Sequence, residues 1–265
     1  MRILVLTKPV PDPAAGAERL VGPDFRLDRA ASPTVVNGND EYALEAALQL
    51  VDAHGGEVEI LAMAPANATE TMRKALAMGA QRGTLVTDPA LQGADLPTTV
   101  RVLAAAAAQE TFDLLLTGID TSDGTAGAVA AGIAARLGMP LLSAAALIEP
   151  DPGAGRVRVR RISAKGYDVI EAPMPAVVSC TQALGAPRYP SLKGIMAARS
   201  REIATKSVAD LGDGADGPLV PPGGWATRVV AADPPPARAT GRVVQAPAPD
   251  AAREIADFLA ARRLI

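Results

Sequence analysis

The residues best suited to binding a ligand form one run, residues 118–127 (GIDTSDGTAG), which follows the apolar segment DLLLT. Three glycines, two threonines and one serine in this glycine-rich loop expose backbone amides and hydroxyl groups. The loop leads into a helical pattern that holds Val129 and Ile133, and amides at a helix N-terminus favour a bound phosphate. Because the loop matches neither GxGxxG nor the Walker pattern, a phosphate-binding role and a purely structural cap both remain open.

Two carboxylates of the glycine-rich loop, Asp120 and Asp123, could act as general acid or base. No His, Lys or Cys is close to them in the sequence, which favours a solvated or capping role. The chain has one histidine, His54, and one cysteine, Cys180. A histidine-centred triad, a His-based zinc site and a disulfide within the chain therefore lack components, and Cys180, in a buried strand pattern, is expected to be inert.

A second polar segment, Asn37-Gly38-Asn39-Asp40, joins an apolar pair to the start of a helical pattern. Its side chains could read an adenine or ribose edge, or they could form a tight turn followed by a helix N-cap. Met63, at the end of another apolar run, could stack on a purine or belong to the core.

Apolar runs of strand length would position these residues. They occupy residues 2–7, 58–63 and 113–117, as expected of parallel strands that are buried on both faces. Strands that alternate with helices predict an α/β fold with a doubly wound, mostly parallel sheet flanked by helices, over about the first 145 residues. In such a sheet ligands bind beyond the carboxyl ends of the strands, where the polar segments lie.

Capping signals mark the helices between these strands. A first helix is predicted over about residues 40–54, behind Asn39 or Asp40 as N-cap. Asn67 and Glu70 predict a capping box for the second helix, and Asp95 followed by Pro97 predicts the start of the third.

The second half of the chain has a different pattern. Strict alternation over 156–162, a Lys-Gly turn and a return over 167–171 predict an antiparallel hairpin. We expect a nucleotide-binding α/β domain over 1–205 and an extended C-terminal arm over 206–265. The arm ends in a short amphipathic helix that could dock on a partner subunit or on the chain's own body.

Composition excludes several classes of protein. The 265 residues carry a formal net charge of −3, without long basic runs, so nucleic acid is not an expected partner. The N-terminal segment MRILVLTKPV has neither the apolar core of a signal peptide nor the length of a membrane span. A cytoplasmic protein that is not embedded in a membrane is expected.

Residues 186–203, APRYPSLKGIMAARSREI, closely resemble the signature of the electron-transfer flavoprotein β-subunit family. Other blocks agree in order: KPVPDP, VVNGNDEYALEAALQL, TMRKALAMGAQRG, GIDTSDGTAG and DPPPARATGR. The resemblance spans essentially the whole chain, with residues 212–228 matching least.

The resemblance implies a heterodimer. An α subunit would carry most of the FAD site, and the β subunit would bind one AMP and form one wall of the interface. Such a carrier takes electrons from flavin-dependent dehydrogenases and passes them to a quinone reductase. By this resemblance the β subunit is not an enzyme, since it makes and breaks no substrate bond.

The family's cofactor contacts map onto the ends of the strands. By resemblance they are Leu6, Asn37, Gly38, Asn39, Asp40, Met63, Gly118, Asp120, Thr121, Ser122, Asp123, Gly124, Thr125, Ala126, Gly127 and Val129.

The family's recognition loop, which docks on dehydrogenases, maps to residues 186–203. Its partner-docking residues are Tyr189, Pro190, Ser191, Leu192, Ile195 and Met196. An exposed apolar anchor suits a transient docking site, whereas spacing alone would also allow Leu192 to be packed within its own domain.

The chain departs from the family's pattern in the glycine-rich loop. Many members have an Asn-Gln-Thr triplet there, whereas this chain has Gly127-Ala128-Val129 and lacks the threonine hydroxyl. An electron-bifurcating relative, with a second FAD in the β subunit, is one alternative, although the loop lacks the Asp-Gly-Asp-Thr-Ala-Gln pattern of that type. A stand-alone AMP- or ATP-binding module of the universal-stress type is another, but such modules are shorter.

Overall fold

The structure is a computed structural model that describes residues 1–15, 21–22, 25–214, 217–233, 236, 241 and 243–265. The chain divides into two compact units, Met1–Val230 and Ala231–Ile265. The first unit contains every site residue predicted from the sequence.

The strands and helices of the described residues are numbered in chain order. The strands are β1 (Arg2–Leu6), β2 (Pro9–Pro11), β3 (Thr34–Val36), β4 (Glu57–Met63), β5 (Arg82–Val86), β6 (Leu114–Gly118), β7 (Leu141–Asp151), β8 (Arg156–Ser163), β9 (Gly166–Pro173), β10 (Ala176–Cys180) and β11 (Ile203–Lys206). The α-helices are α1 (Gly38–His54), α2 (Thr69–Met78), α3 (Leu96–Ala108), α4 (Val129–Leu137), α5 (Leu192–Ala198), α6 (Val208–Leu211) and α7 (Ala248–Ala261).

Among the described residues, nine strands form one sheet in the order β11-β5-β4-β1-β6-β10-β7-β8-β9. Neighbours pair in parallel from β11 to β7, and β7, β8 and β9 pair antiparallel. The predicted α/β fold with a doubly wound, mostly parallel sheet is therefore confirmed, as is the predicted hairpin. The winding reverses between β1 and β6, because the chain continues from β1 to β4 on one side and reaches β6 on the other. Such a reversal opens a crevice at the carboxyl ends of the two strands.

Different helices cover the two faces of the sheet. Ile3 of β1 belongs to the same buried cluster as Leu44 of α1, whereas the next residue, Leu4, belongs to the cluster that includes Ile133 of α4. A strand buried on both faces needs such a continuous apolar sequence, since alternate side chains enter opposite layers. Burial of each large aliphatic side chain contributes roughly 1.5–3 kcal/mol, which makes the two layers the main source of stability.

The helix ends agree with the sequence in part. Asp95 caps α3 by accepting a hydrogen bond from the Thr98 amide at 3.0 Å, as predicted. The predicted capping box at Asn67 and Glu70 is wrong, because Ala66–Ala68 form a 3₁₀ turn that runs directly into α2 and Ala68 takes the N-cap position. Helix α1 begins at Gly38, and its N-cap residue is Asn37. This N-cap lies two to three residues before the expected caps, Asn39 and Asp40.

In the described part of the large sheet, three strands have no clear signature in the sequence. In β5, Gly83 interrupts the apolar pattern because a β-carbon there would lie 2.9 Å from Cγ1 of Ile60 in β4. Strand β7 contains a run of small residues with weak strand preference. Strand β11 has only four residues and gains its definition by pairing with β5.

The first unit extends beyond the boundary predicted at residue 205. Strand β11 and helix α6 belong to it, and Leu211 and Leu219 are buried within it. The second unit contains α7, none of whose residues is buried. The DPPPARATGR block lies largely outside the described residues. Docking of the arm on a partner stays a prediction.

Candidate functional site

The carboxyl ends of β1 and β6 lie side by side, because the two strands pair in register from Ile3↔Leu114 to Val5↔Leu116. This places Leu6, the last residue of β1, next to the start of the glycine-rich loop at Gly118. Met63 ends β4, the neighbour of β1 on its other side. The fold thus brings the strand-end residues predicted from the sequence to one edge of the sheet, at the point where its winding reverses.

Two asparagines join the start of α1 to the glycine-rich loop. Asn37 donates from Nδ2 to the backbone oxygen of Asp120 at 2.8 Å, and its Oδ1 accepts from the Ser122 amide at 3.1 Å. Asn39 donates to Oδ1 of Asp120 at 2.7 Å. Asn37 occupies the N-cap position, but its side chain makes no capping hydrogen bond. These hydrogen bonds therefore join the segment 37–40 and the glycine-rich loop into one structural unit.

Asp40 lies beneath this junction. Its carboxylate accepts hydrogen bonds from the amides of Lys8, at 2.9 Å, and Gly118, at 3.3 Å. A β-carbon on Gly118 would approach Oδ1 of Asp40 to 2.5 Å, so only glycine fits there. Burial raises the pKa of Asp40 from 3.8 to about 7, although hydrogen bonds from Asn37, Lys8 and Gly118 lower it. Asp40 is therefore a buried residue that holds the backbone of the site in place, and it does not line the surface of the site.

Asp123 has two cationic partners that are distant in sequence. Nζ of Lys8 lies 2.8 Å from Oδ1, and the guanidinium of Arg29 donates to Oδ2 at 2.7 and 2.9 Å. Burial alone would raise the pKa of Asp123, but the charge and hydrogen bond of Lys8, with Thr121 and Arg29, lower it overall. The sequence did not indicate that Lys8 and Arg29 pair with Asp123, because both residues are far from Asp123 along the chain.

The glycine-rich loop leaves the N-terminus of α4 open. The amides of Gly124 and Thr125 bond to the Thr121 oxygen, and the chain then passes through positive φ angles at Thr125 and Gly127. Ala128 occupies the N-cap position of α4, and no side chain caps this helix. An uncapped helix end of this kind suits an anion, and the phosphate-binding role of the loop stays a prediction.

A cleft of about 460 Å³ lies beside the start of α1 and shares Asn37, Asn39 and Ser122 with this junction. Its wall combines the β2–β3 ribbon with polar side chains of α1 and of the loops that follow β6 and β10. The lining residues are Val10, Pro13, Val35, Val36, Asn37, Gly38, Asn39, Glu41, Tyr42, Ser122 and Gln182. Half-burial raises the pKa of Glu41 above its ordinary value.

The recognition loop presents apolar side chains to solvent. Tyr189 is 95% exposed and Leu192 is 78% exposed, and Ile195 and Met196 are also exposed. Ser191 caps α5 by accepting from the Gly194 amide at 3.0 Å, so the helix begins at Leu192 itself. The alternative that Leu192 packs within its own domain does not agree with this exposure.

The surroundings of the cysteine do not activate its thiol. Cys180 is fully buried, and burial together with the charge of Asp40 raises the pKa of its thiol. Within the described residues, no three or more His, Cys, Asp or Glu side chains are grouped to hold a metal ion. Among the described helices, none is both long enough and apolar enough to span a membrane.

Comparison with known proteins agrees with the resemblance. A family model described as the electron transfer flavoprotein domain matches residues 24–211. The chain is 35% identical to the electron transfer flavoprotein subunit beta of Mycobacterium leprae, over 99% of both chains. It is 32% identical to the subunit beta of Thermoanaerobacterium thermosaccharolyticum, over the full length of both chains. It is also 38% identical to protein FixA of Azorhizobium caulinodans, over 80% of this chain and 77% of FixA.

The chain belongs to the electron transfer flavoprotein β-subunit family. Its role in electron transfer as a β subunit, inferred from the sequence, is thereby confirmed, and the flavoprotein character of the assembly with it.

Replacement of Asp123 by Asn tests the tie between the glycine-rich loop and the two cations. Loss of the buried charge leaves Lys8 and Arg29 unpaired, so the free energy of unfolding should fall by about 2 kcal/mol, a value discounted for the exposure of both cations. Urea unfolding at pH 7 measures it. Asp168→Asn, which breaks the exposed pair with Arg161, is the matched control and should have a much smaller effect. Because the pKa of Asp123 is lowered, its contribution should disappear in acid; equal effects of both variants would contradict the assignment.

Replacement of Asp40 by Asn tests the buried carboxyl. Unfolded Asp40 ionises near pH 3.8 and folded Asp40 near 7, so the folded state holds an extra proton between these values. Its contribution to the free energy of unfolding should therefore decline by roughly 3 kcal/mol from pH 5 to 8. Asp40→Asn should lack this decline and Asp123→Asn should retain it, as measured by urea unfolding at both pH values. A decline of the same size in Asp40→Asn would assign it to another group.

Proposed function

We propose that the chain works in a heterodimer with an electron transfer flavoprotein α subunit, which carries most of the FAD site, while the β subunit binds AMP. The observation that carries this proposal is the junction at the carboxyl ends of β1 and β6, where the uncapped N-terminus of α4 meets the loop held by Asn37 and Asn39. The names of the relatives, all of them β subunits or FixA, support a partner subunit.

The residues at the crevice fit a mononucleotide. The amides of Gly124 and Thr125 bond to the Thr121 oxygen, so the exposed residues Ala126 and Gly127, next to the open end of α4, are the ones whose backbone suits a phosphate. Leu6 is buried in the core and would support the site from within rather than contact the base. Met63, half-buried at the end of β4, supplies apolar surface for a purine. Asn39 and Asp120, already hydrogen-bonded to each other, stand between the two. AMP would have a structural role there.

The cleft beside α1 supports a contact with FAD. It is walled by the apolar β2–β3 ribbon on one side and by Asn39, Glu41 and Tyr42 on the other. FAD, when bound mainly by the α subunit, would supply the redox chemistry. The β residues would exclude water from one side of the flavin and set the polarity near its edge.

The β subunit would carry electrons without substrate chemistry of its own. Asp123 is neutralised by two cations, Asp40 is buried, and Cys180 is an inert thiol, so the chain's reactive side chains serve structure. Electrons would arrive from flavin-dependent dehydrogenases that dock on the recognition loop and leave to a membrane quinone reductase. Such a carrier would be cytoplasmic.

The C-terminal arm would dock on the α subunit. Helix α7 buries none of its residues, and Ile255 and Phe258 are exposed on one of its faces. An amphipathic helix whose apolar side chains share one face is suited to a groove on another protein. Of the alternatives raised by the sequence, the universal-stress module loses its support, because the β-subunit family covers nearly the whole chain.

Nucleotide content tests the cofactor assignment. We expect the chain, co-expressed with an α subunit, to release one FAD and one AMP per heterodimer on acid treatment, as measured by chromatography against standards. Ala128→Asp should cap α4 and repel a phosphate, so it should lose AMP and keep FAD, whereas the uncharged cap of Ala128→Ser should keep both. Two FAD per heterodimer would instead place a second flavin in the β subunit. If Ala128→Asp lost both nucleotides while Ala128→Ser kept both, the assignment of two separate sites would be contradicted.

The arm can be tested on the same heterodimer. Replacing Ile255 and Phe258 together with Asp should weaken association with the α subunit at least tenfold, because both would lose apolar contacts in a groove. Ala256→Asp, on a different face of α7, is the control and should leave the affinity unchanged. Analytical ultracentrifugation measures the dissociation constant. Unchanged affinity in the double variant would mean that α7 does not contact the α subunit.

A further inference from the structure

The N-terminal end of the recognition loop is fixed by a forked ion pair. Arg188 donates from Nε to Oε2 of Glu45 at 2.7 Å and from Nη2 to Oδ2 of Asp52 at 3.0 Å. The Arg188 amide also donates to Glu45. Glu45 is almost fully buried on α1, and the charge and hydrogen bonds of Arg188 outweigh its burial and lower its pKa. A forked guanidinium pair fixes orientation as well as distance.

The C-terminal end of the recognition loop is fixed independently on α2. Arg201 donates to the carbonyl oxygens of Leu76 and Ala80, where α2 ends. Arg73 of α2 donates in return to the carbonyl oxygen of Ala198, at 2.6 Å. Gly194 lets α5 approach α2 closely, because a β-carbon there would lie 2.4 Å from the Ala77 oxygen.

The segment between these two anchors contains the most exposed apolar side chains of the loop, Tyr189 and Leu192. Tyr189 follows Arg188 directly, so the forked pair determines where the exposed segment leaves the body of the protein. The helix that holds Arg188 is α1, whose first turn also carries Asn39 and Asp40. A single rigid helix therefore connects the anchor of the recognition loop to the nucleotide crevice and the cleft.

We infer that Arg188 is a positioning residue for electron transfer: with Glu45 and Asp52 it holds the recognition loop in its docking conformation before a dehydrogenase binds. This inference rests on the proposed docking role of the loop. A loop that is ordered in advance loses less conformational entropy on association, so the ion pair strengthens docking without touching the partner. It also fixes the loop relative to the cleft through α1.

The test replaces Arg188 by Met in the FAD-loaded heterodimer. The assay uses a purified flavin dehydrogenase that reduces the unaltered heterodimer. The apparent KM of this dehydrogenase for the heterodimer should rise about tenfold, while kcat stays unchanged. The rate at which dithionite reduces the FAD should also stay unchanged. Hydrogen exchange of the amides over residues 188–195 should accelerate. Arg188→Lys, which can replace one arm of the fork, should recover part of the affinity.

Arg82→Met is a matched control, because Arg82 forms the same kind of fork with the nearly buried Glu59 and with Glu57. Arg82 begins β5, at the edge of the sheet opposite the strand-end loops. Its loss should lower stability to a similar extent and leave KM unchanged. A similar KM increase in both variants would mean that Arg188 acts only through general stability, and would overturn the inference.

Leu192→Ala separates this inference from the docking proposal itself. If the recognition loop docks, Leu192→Ala raises KM, and Arg188→Met adds little in that background because both act on one contact. An increase in KM for Leu192→Ala with none for Arg188→Met would leave the docking role in place and refute the positioning role. No change in KM for Leu192→Ala would refute docking through Leu192.

Discussion

The candidate site depends on the attachment of the glycine-rich loop to the first turn of α1. Asn37 and Asn39 bind the backbone and side chain of Asp120, and Asp40 accepts hydrogen bonds from the amides of Lys8, shortly after β1, and of Gly118, the last residue of β6. These hydrogen bonds satisfy polar groups at a point where two strands stop and no ladder continues. Without them the loop would have no fixed path to α4, and the open helix end would not face the crevice.

The same attachment imposes constraints on the sequence. The close contact between Gly118 and Asp40 leaves no room for a side chain at the end of β6. The burial that raises the pKa of Asp40 destabilises its charge, and the opposite holds for Asp123, whose cations lower its pKa. Two carboxylates in one site therefore have different electrostatic roles, and both are structural.

Helix α1 connects the functions of the subunit. Its first turn forms the crevice and part of the cleft, its middle carries Glu45, and its last turns carry Asp52, which shares Arg188 with Glu45. The proposed docking role requires a fixed geometry between the recognition loop and the cleft, and a helix supplies it better than a loop. The small side chains of α1, such as Ala43 and Ala47, allow it to lie close to the sheet.

The sequence by itself determined the alternation of strands and helices, the Asp95 cap, the hairpin and the strand-end segments, because periodicity and capping are local properties. Through its motifs it also indicated the family. Only the tertiary structure paired Asp123 with Lys8 and Arg29, and Arg188 with Glu45. Those partners are separated by tens to more than a hundred residues along the chain, and they meet only because the sheet order places the ends of distant strands side by side. The sequence shows which residues are charged, but the fold decides which of them pair.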